Sequence, residues 1–208
     1  MDNGADSYRR FLEGDDKGLS EIVELYKDGL ILYLVGYVNN IYVAEDLTED
    51  TFFRLITKKP SFSGKCTFKS WLYAIGRNVA VDYIRHESKC ISTPLEIIEN
   101  AASEEYDLEC AYIKEEGRMK VHRAMRELSA DYKSVLWLVY FEGFSNTEAA
   151  RIMRKSERQI RNLLYRAKQS LKTKLEMEVY HDSKQRTDEG NCSGGHSETA
   201  FREGHVRL

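Results

Sequence analysis

The chain has 208 residues and a net charge of −3, which allows one domain or two small ones. Hydrophobic residues make up 42% of it and only Pro60 and Pro94 interrupt it, so packed cores and long helices are both permitted. No run of about twenty apolar residues occurs and MDNGADSYRRF lacks an apolar leader core, which excludes a membrane-spanning helix and a secretory signal from the expectations.

Residues 5–86 read as a helical block. From Asp16 to Val38, the residues Leu19, Ile22, Val23, Leu25, Tyr26, Leu30, Leu34 and Tyr37 recur close to a helical period. A second helix is predicted over 44–58, with Leu47, Thr51, Phe52, Leu55 and Ile56 as its inward stripe. Its outer side carries Glu45, Asp46, Glu49 and Asp50. A charge run of this kind is usually a solvated face; the functional alternative is an acidic docking surface. Pro, Gly and Ser cluster in 58–67, which therefore reads as a loop. A third helix is predicted over 68–86, with Trp71, Leu72, Ile75, Val79 and Ile84 inward. Its sequence, FKSWLYAIGRNVAVDYIRH, mixes aromatic with basic and amide side chains. That mixture suits unstacked bases, because rings stack on bases while cations hold the backbone. Periodicity puts Trp71 at least half in the core, so Arg77 and Asn78 are the better contact candidates.

Residues 87–118 hold three basic and nine acidic residues together with Pro94, and read as a flexible acidic linker with one weak helix near 106–116. A second helical block is predicted over 119–178. Its first helices cover 121–128 and 132–141, with Val135, Leu136, Leu138 and Val139 as core. From residue 179 the chain is polar and rich in Gly and Ser, and is predicted to be a disordered tail. Cys192, His196 and His205 fall short of a four-ligand metal set, so no metal or other cofactor is expected. Cys66, Cys90, Cys110 and Cys192 show no paired spacing, which points to free thiols in a reducing cytoplasm.

Residues 145–168, SNTEAARIMRKSERQIRNLLYRAK, carry the most specific local signal. Ser145 with Glu148 has the spacing of a capping box, and Ser156 with Gln159 repeats it. One helix therefore stops and another starts within a tight turn. Ile160, Leu164, Ala167 and Leu171 form one face of the second helix; Arg158, Arg161, Asn162 and Tyr165 share another. A helix with one apolar face and one Arg/Asn face can sit in a DNA major groove, where Arg reads guanine and Asn reads adenine. The distribution of charge agrees. Residues 119–176 hold thirteen Lys and Arg against six Asp and Glu, so the positive field lies where the helix-turn-helix lies.

The two blocks together resemble the sigma-70 family of bacterial transcription initiation factors, in its small two-domain extracytoplasmic-function branch. AEDLTEDTFFRLI and FKSWLYAIGRNVAVDYIRH resemble that family's region 2; LSADYKSVLWLVYFEGFSNTEAARIMRKSERQIRNLLYRAKQSLKTKL resembles its region 4. The resemblance covers about residues 5–176. It implies an all-α fold of two small helical domains, region 2 over 5–86 and region 4 over 119–178, joined by the linker. It also implies a non-enzymatic sigma factor whose partners are core RNA polymerase, promoter DNA and an anti-sigma protein.

The resemblance further implies residue roles. Asp46, Glu49 and Asp50 would dock on the polymerase clamp, which overrides the solvated-face reading. The loop over 61–67 and the following helix would capture a flipped base of the −10 element, through Ser63, Lys65, Lys69 and Trp71. Arg77, Asn78, Asp82 and Arg85 would lie along the duplex upstream. Glu157, Arg158, Arg161 and Asn162 would read the −35 element, with Arg166 and Lys168 near phosphates. Two positions depart from the family pattern. Arg154 stands where the turn usually has Gly, and Arg161-Asn162-Leu163 replaces a Lys-Ser-Arg run, which puts one backbone or base contact at Leu163 in question. A stand-alone helix-turn-helix regulator and a helical interaction protein remain the competing readings.

Overall fold

The computed structural model describes residues 3–90 and 124–191, which contain helices and loops and no strand. Four helices build the first block: α1 (Asn3–Leu12), α2 (Asp16–Val38), α3 (Ile41–Lys58) and α4 (Phe68–Cys90). The second block contains α5 (Ala130–Leu136), which runs into a π-helical turn (Trp137–Phe141), then α6 (Asn146–Met153) and α7 (Glu157–Asn191).

Local chemistry sets the boundaries. Asp15 caps α2 by accepting a hydrogen bond from the Lys17 amide. An asparagine pair then divides α2 from α3. Asn39 ends α2 in the left-handed conformation (φ 53°), and the Asn40 carboxamide accepts from the Val43 amide to start α3. This cap starts α3 at Ile41, ahead of the predicted residue 44. The Thr67 hydroxyl accepts from the Ser70 amide, which starts α4 where predicted. Helix α4 continues beyond residue 86 to Cys90, because nothing before Pro94 breaks it. Helix α1 was not separately expected. It is short and seats Tyr8 and Phe11 on α2 and α4.

Both predicted caps of the helix-turn-helix are present. The Ser145 hydroxyl and Glu148 carboxylate exchange bonds with each other's backbone amides. Ser156 and Gln159 do the same at the start of α7. Between them Arg154 ends α6 with φ 53°. That left-handed geometry explains why the family uses Gly there, since a Cβ is strained in it. Arg154→Gly is therefore expected to raise unfolding stability by about 1 kcal/mol, read as a higher denaturant midpoint at an unchanged slope. An unchanged midpoint would mean that the Arg side chain offsets its own strain.

The core of the first block is formed by Ile22, Leu30, Ile31, Tyr33, Leu34, Leu55, Phe68, Leu72 and Tyr73, all at most 1% exposed. Three residues assigned inward by periodicity sit outside it: Leu25 is 57% exposed, Ile56 41% and Ile84 36%. Each is apolar and near the helical period, yet the side chain stays uncovered by the packed helices. In the second block Val135, Leu136 and Leu138 are buried as expected, while Val139 is only partly covered. The π turn causes this shift in phase. The Glu142 amide reaches back to the Trp137 carbonyl at 3.1 Å, and the Trp137 and Phe141 rings stack at 4.5 Å.

Helix α7 extends as backbone to Asn191, beyond residue 178 where the block was expected to end. No Pro or Gly occurs between its start and Gly190, so nothing local stops it. The expected linker helix near 106–116, the remainder of the tail, and Cys192, His196 and His205 lie outside the described residues. No helix among the described residues is long and apolar enough to cross a membrane.

Candidate nucleic-acid interface

Three surfaces carry the predicted site residues. The first is the outer side of α3. Burying Ala44, Leu47, Thr51 and Leu55 turns Asp46, Glu49 and Asp50 into solvent. Tyr42 and Phe53, 54% and 60% exposed, lie on the same side at helical spacing. The result is an acidic row bounded by uncovered apolar groups. Such a surface fits a partner that is basic and partly apolar, better than it fits water alone.

The second surface is the loop before α4 and the start of that helix. Beneath it lies an aromatic cluster. Phe68 meets Tyr8 at 5.4 Å, Tyr26 at 5.9 Å, Phe62 at 5.7 Å and Trp71 at 5.4 Å between ring centroids. Tyr8 donates a hydrogen bond to the Pro60 carbonyl at 2.8 Å, and burial raises its phenol to about 12. The loop is thus anchored from below, while Ser63 and Lys65 point outward. Trp71 is half-buried in the cluster, as periodicity suggested.

Further along α4, Asn78 is half-buried, and Asp82 and Arg85 are exposed on the same line as Trp71. Arg77, expected beside Asn78, departs from that line. It leans toward the buried Tyr33 phenol, and its Nε is buried without a hydrogen-bond partner. One helical residue rotates a side chain by about 100°, so adjacent residues cannot share a narrow face.

Lys69 also departs from the expected free surface. Its ammonium pairs with Glu142 Oε2 at 2.8 Å and donates to the Glu142 carbonyl at 2.9 Å. It lies 5.0 Å from the Phe144 ring centroid. Nearby, Glu148 Oε1 accepts from Ser70 at 3.0 Å and Thr67 at 3.1 Å. Arg151 donates to the Lys65 carbonyl at 2.9 Å. Burial acts to raise the Glu148 carboxyl, but bonds from Ser145, Ser70 and Thr67 outweigh it and hold the group below its ordinary range. No motif in the sequence signalled these contacts.

The third surface is α7. Ile160 and Ala167 are fully buried and Leu164 and Leu171 are partly covered, which fixes the rotation of the helix. Arg158, Arg161, Asn162, Arg166 and Lys168 are exposed, and Tyr165 is 66% exposed. Glu157 accepts from the Thr147 hydroxyl at 2.9 Å and lies 3.7 Å from Arg161, so it orients that arginine. Leu163 packs partly against the core. It lies three residues after Ile160 and four before Ala167, and thus at the edge of the buried face. The position supports seating of the helix, so the exposed Arg/Asn face is not interrupted there. The spacing alone contained that signal.

Residues 22–90 match the model of sigma-70 region 2, and residues 118–171 match that of sigma-70 region 4. The ECF RNA polymerase sigma factor SigM of Bacillus subtilis is 30% identical over 159 residues, spanning 74% of this chain and 93% of the relative. The ECF RNA polymerase sigma-E factor of Haemophilus influenzae is 25% identical over 177 residues, spanning 80% and 92%. Among solved structures, the sigma factor RpoE of Bartonella quintana, in complex with the anti-sigma factor NepR, aligns with a TM-score of 0.60 and 25% identity. That alignment covers 77% of this chain and 98% of RpoE. CnrH, solved with the cytosolic domain of CnrY, aligns with a TM-score of 0.59 at 20% identity, over 84% and 96% of the two chains, and shows the same fold.

A two-domain helical protein with sigma regions 2 and 4 is a transcription initiation factor. The chain belongs to the extracytoplasmic-function branch of the sigma-70 family. It directs promoter-specific initiation with core RNA polymerase.

Proposed function

We propose that α3 docks on core polymerase through Asp46, Glu49 and Asp50, that the loop and α4 open the −10 element, and that α7 reads the −35 element. The factor itself is non-enzymatic, because the polymerase supplies the chemistry. Its place of work is the cytoplasm, and an anti-sigma protein is its expected inhibitor, because the similar RpoE was solved bound to the anti-sigma factor NepR.

The observation that most supports the −35 assignment is the rotation of α7. Ile160 and Ala167 face the core while Arg158, Arg161 and Asn162 all face out. Arg166 and Lys168 follow them, exposed, along the same helix, and Glu157 steers Arg161. At the −10 element, Ser63, Lys65 and Trp71 surround the extruded base, and Lys69 joins them once it leaves Glu142. Asn78, Asp82 and Arg85 follow the upstream duplex, with Arg77 supporting the helix beneath them. Extruding a base costs a few kcal/mol of stacking, which this loop must offset.

Run-off transcription with purified bacterial core polymerase on a genomic library of linear templates tests the whole reading. Discrete transcripts that require this protein support it and display both promoter elements. Salt-sensitive duplex binding without such transcripts would turn the reading toward a stand-alone regulator. Arg161→Ala is expected to weaken use of a strong −35 promoter by about 1–3 kcal/mol, with relaxed preference at one base position. Unaltered promoter use would remove Arg161 from the readers.

A further inference from the structure

We propose, resting on the −35 assignment above, that Thr147 of α6 is a positioning residue for promoter choice. It holds Glu157, Glu157 holds Arg161, and the three together select a G·C pair at one position of the −35 element.

The relay crosses the turn of the helix-turn-helix. Thr147 is the second residue of α6 and Glu157 the first of α7. The Thr147 hydroxyl donates to Glu157 Oε1 at 2.9 Å. Glu157 Oε2 faces Arg161 Nη1 at 3.7 Å, one turn further along α7. One carboxylate oxygen thus looks back to α6 and the other forward to the arginine. Helix α6 is a firm base for this contact, because its capping box fixes its start and Ala149, Ala150, Ile152 and Met153 are buried. The neighbouring Glu148 carboxylate is engaged by Ser145, which leaves the Thr147 hydroxyl to Glu157.

The geometry suits recognition better than folding. The side chains of Arg161 and Glu157 are 60% and 50% exposed, and a pair so open to solvent adds little stability. At 3.7 Å their contact is an ion pair too long for a hydrogen bond. The guanidinium is therefore aimed by charge while its N–H fork stays available to a base. A long side chain aimed beforehand loses less freedom when it binds.

The aimed pair matches one base pair. In the major groove guanine presents two acceptors side by side, and its cytosine presents an amino donor next to them. Arg161 takes the two acceptors and Glu157 Oε2 takes the amino hydrogen. An A·T pair would set the thymine carbonyl against the carboxylate, acceptor against acceptor, and is disfavoured. Without the Thr147 bond the carboxylate swings freely, and the arginine loses its aim.

The test is transcription by core polymerase with the full chain, from templates whose −35 element is randomised, which gives the base preference at every position. The parent is compared with Arg161→Ala, Thr147→Val, Thr147→Ser, Glu157→Ala, and Thr147→Val combined with Glu157→Ala. A melting temperature is taken for each. Arg161→Ala is the reference and is expected to erase a preference for G·C at one position. Thr147→Val is expected to lower that same preference roughly threefold to tenfold, with the other positions and the melting temperature at the parent level. Thr147→Ser keeps the hydroxyl and should keep the parent profile. Added to Glu157→Ala, Thr147→Val should change nothing further, because the two residues act in series. A loss spread evenly over all templates would mean that Thr147 meets a phosphate instead, and would overturn the relay. So would an unchanged profile for Thr147→Val, or a preference for A·T at the position that Arg161 controls. If Arg161→Ala itself leaves every position unchanged, it is the −35 assignment of Arg161 that fails, and the relay falls with it.

Discussion

Replacing Asp46, Glu49 and Asp50 together by lysine is expected to abolish holoenzyme formation while leaving the fold intact. All three side chains are exposed, and α3 is held by the buried Ala44, Leu47, Thr51 and Leu55 on its opposite side. Surface substitutions of this kind shift folding stability by about 0.5 kcal/mol or less. At a charged interface the effect is of another size. Placing like charges opposite each other costs several kcal/mol, and about 1.4 kcal/mol is a tenfold change in affinity. Binding to core polymerase should therefore weaken by roughly a hundredfold or more, with an unchanged melting curve. Co-purification of the triple variant at the parent level would refute docking through this row. Phe53→Ala offers a finer reading. Its ring is 60% exposed, so folding should tolerate the change, whereas an apolar contact with polymerase should not.

Phe68→Ala is expected to be the most damaging single substitution for stability, at about 3–5 kcal/mol. The ring is fully buried and touches Tyr8, Tyr26, Phe62 and Trp71. Removing it opens a void beneath the loop before α4 that rigid neighbours cannot fill. A domain of this size has only about 5–15 kcal/mol of stability, so the loss is a large share of the whole. Chemical denaturation of the two proteins side by side measures it. A loss under about 1 kcal/mol would show that the cluster re-packs freely. Trp71, only partly buried, should cost less in stability and more in promoter opening.

The secondary structure and the outward faces were legible without coordinates, for local reasons. Ser145 with Glu148, and Ser156 with Gln159, announce helix starts because a cap involves residues three apart. The α7 spacing separates Ile160 from Arg161 because helical period assigns direction. Asn40 carried an equally local signal for the true start of α3, and Leu163 for its own position at the edge of the buried face. Periodicity misled at Leu25, Ile56 and Ile84, because a period gives direction along one helix and not how far its neighbours cover it.

What the chain determined by itself was therefore which residues become helical, which faces are apolar, and where positive and negative charge collect. Only the tertiary structure decided what those faces meet. Lys69 looks like a free cation in the sequence, yet its partner Glu142 lies 73 residues away, and Arg151 reaches Lys65 across 86. A period gives a side chain its direction along one helix; it contains nothing about which distant surface the fold will bring there.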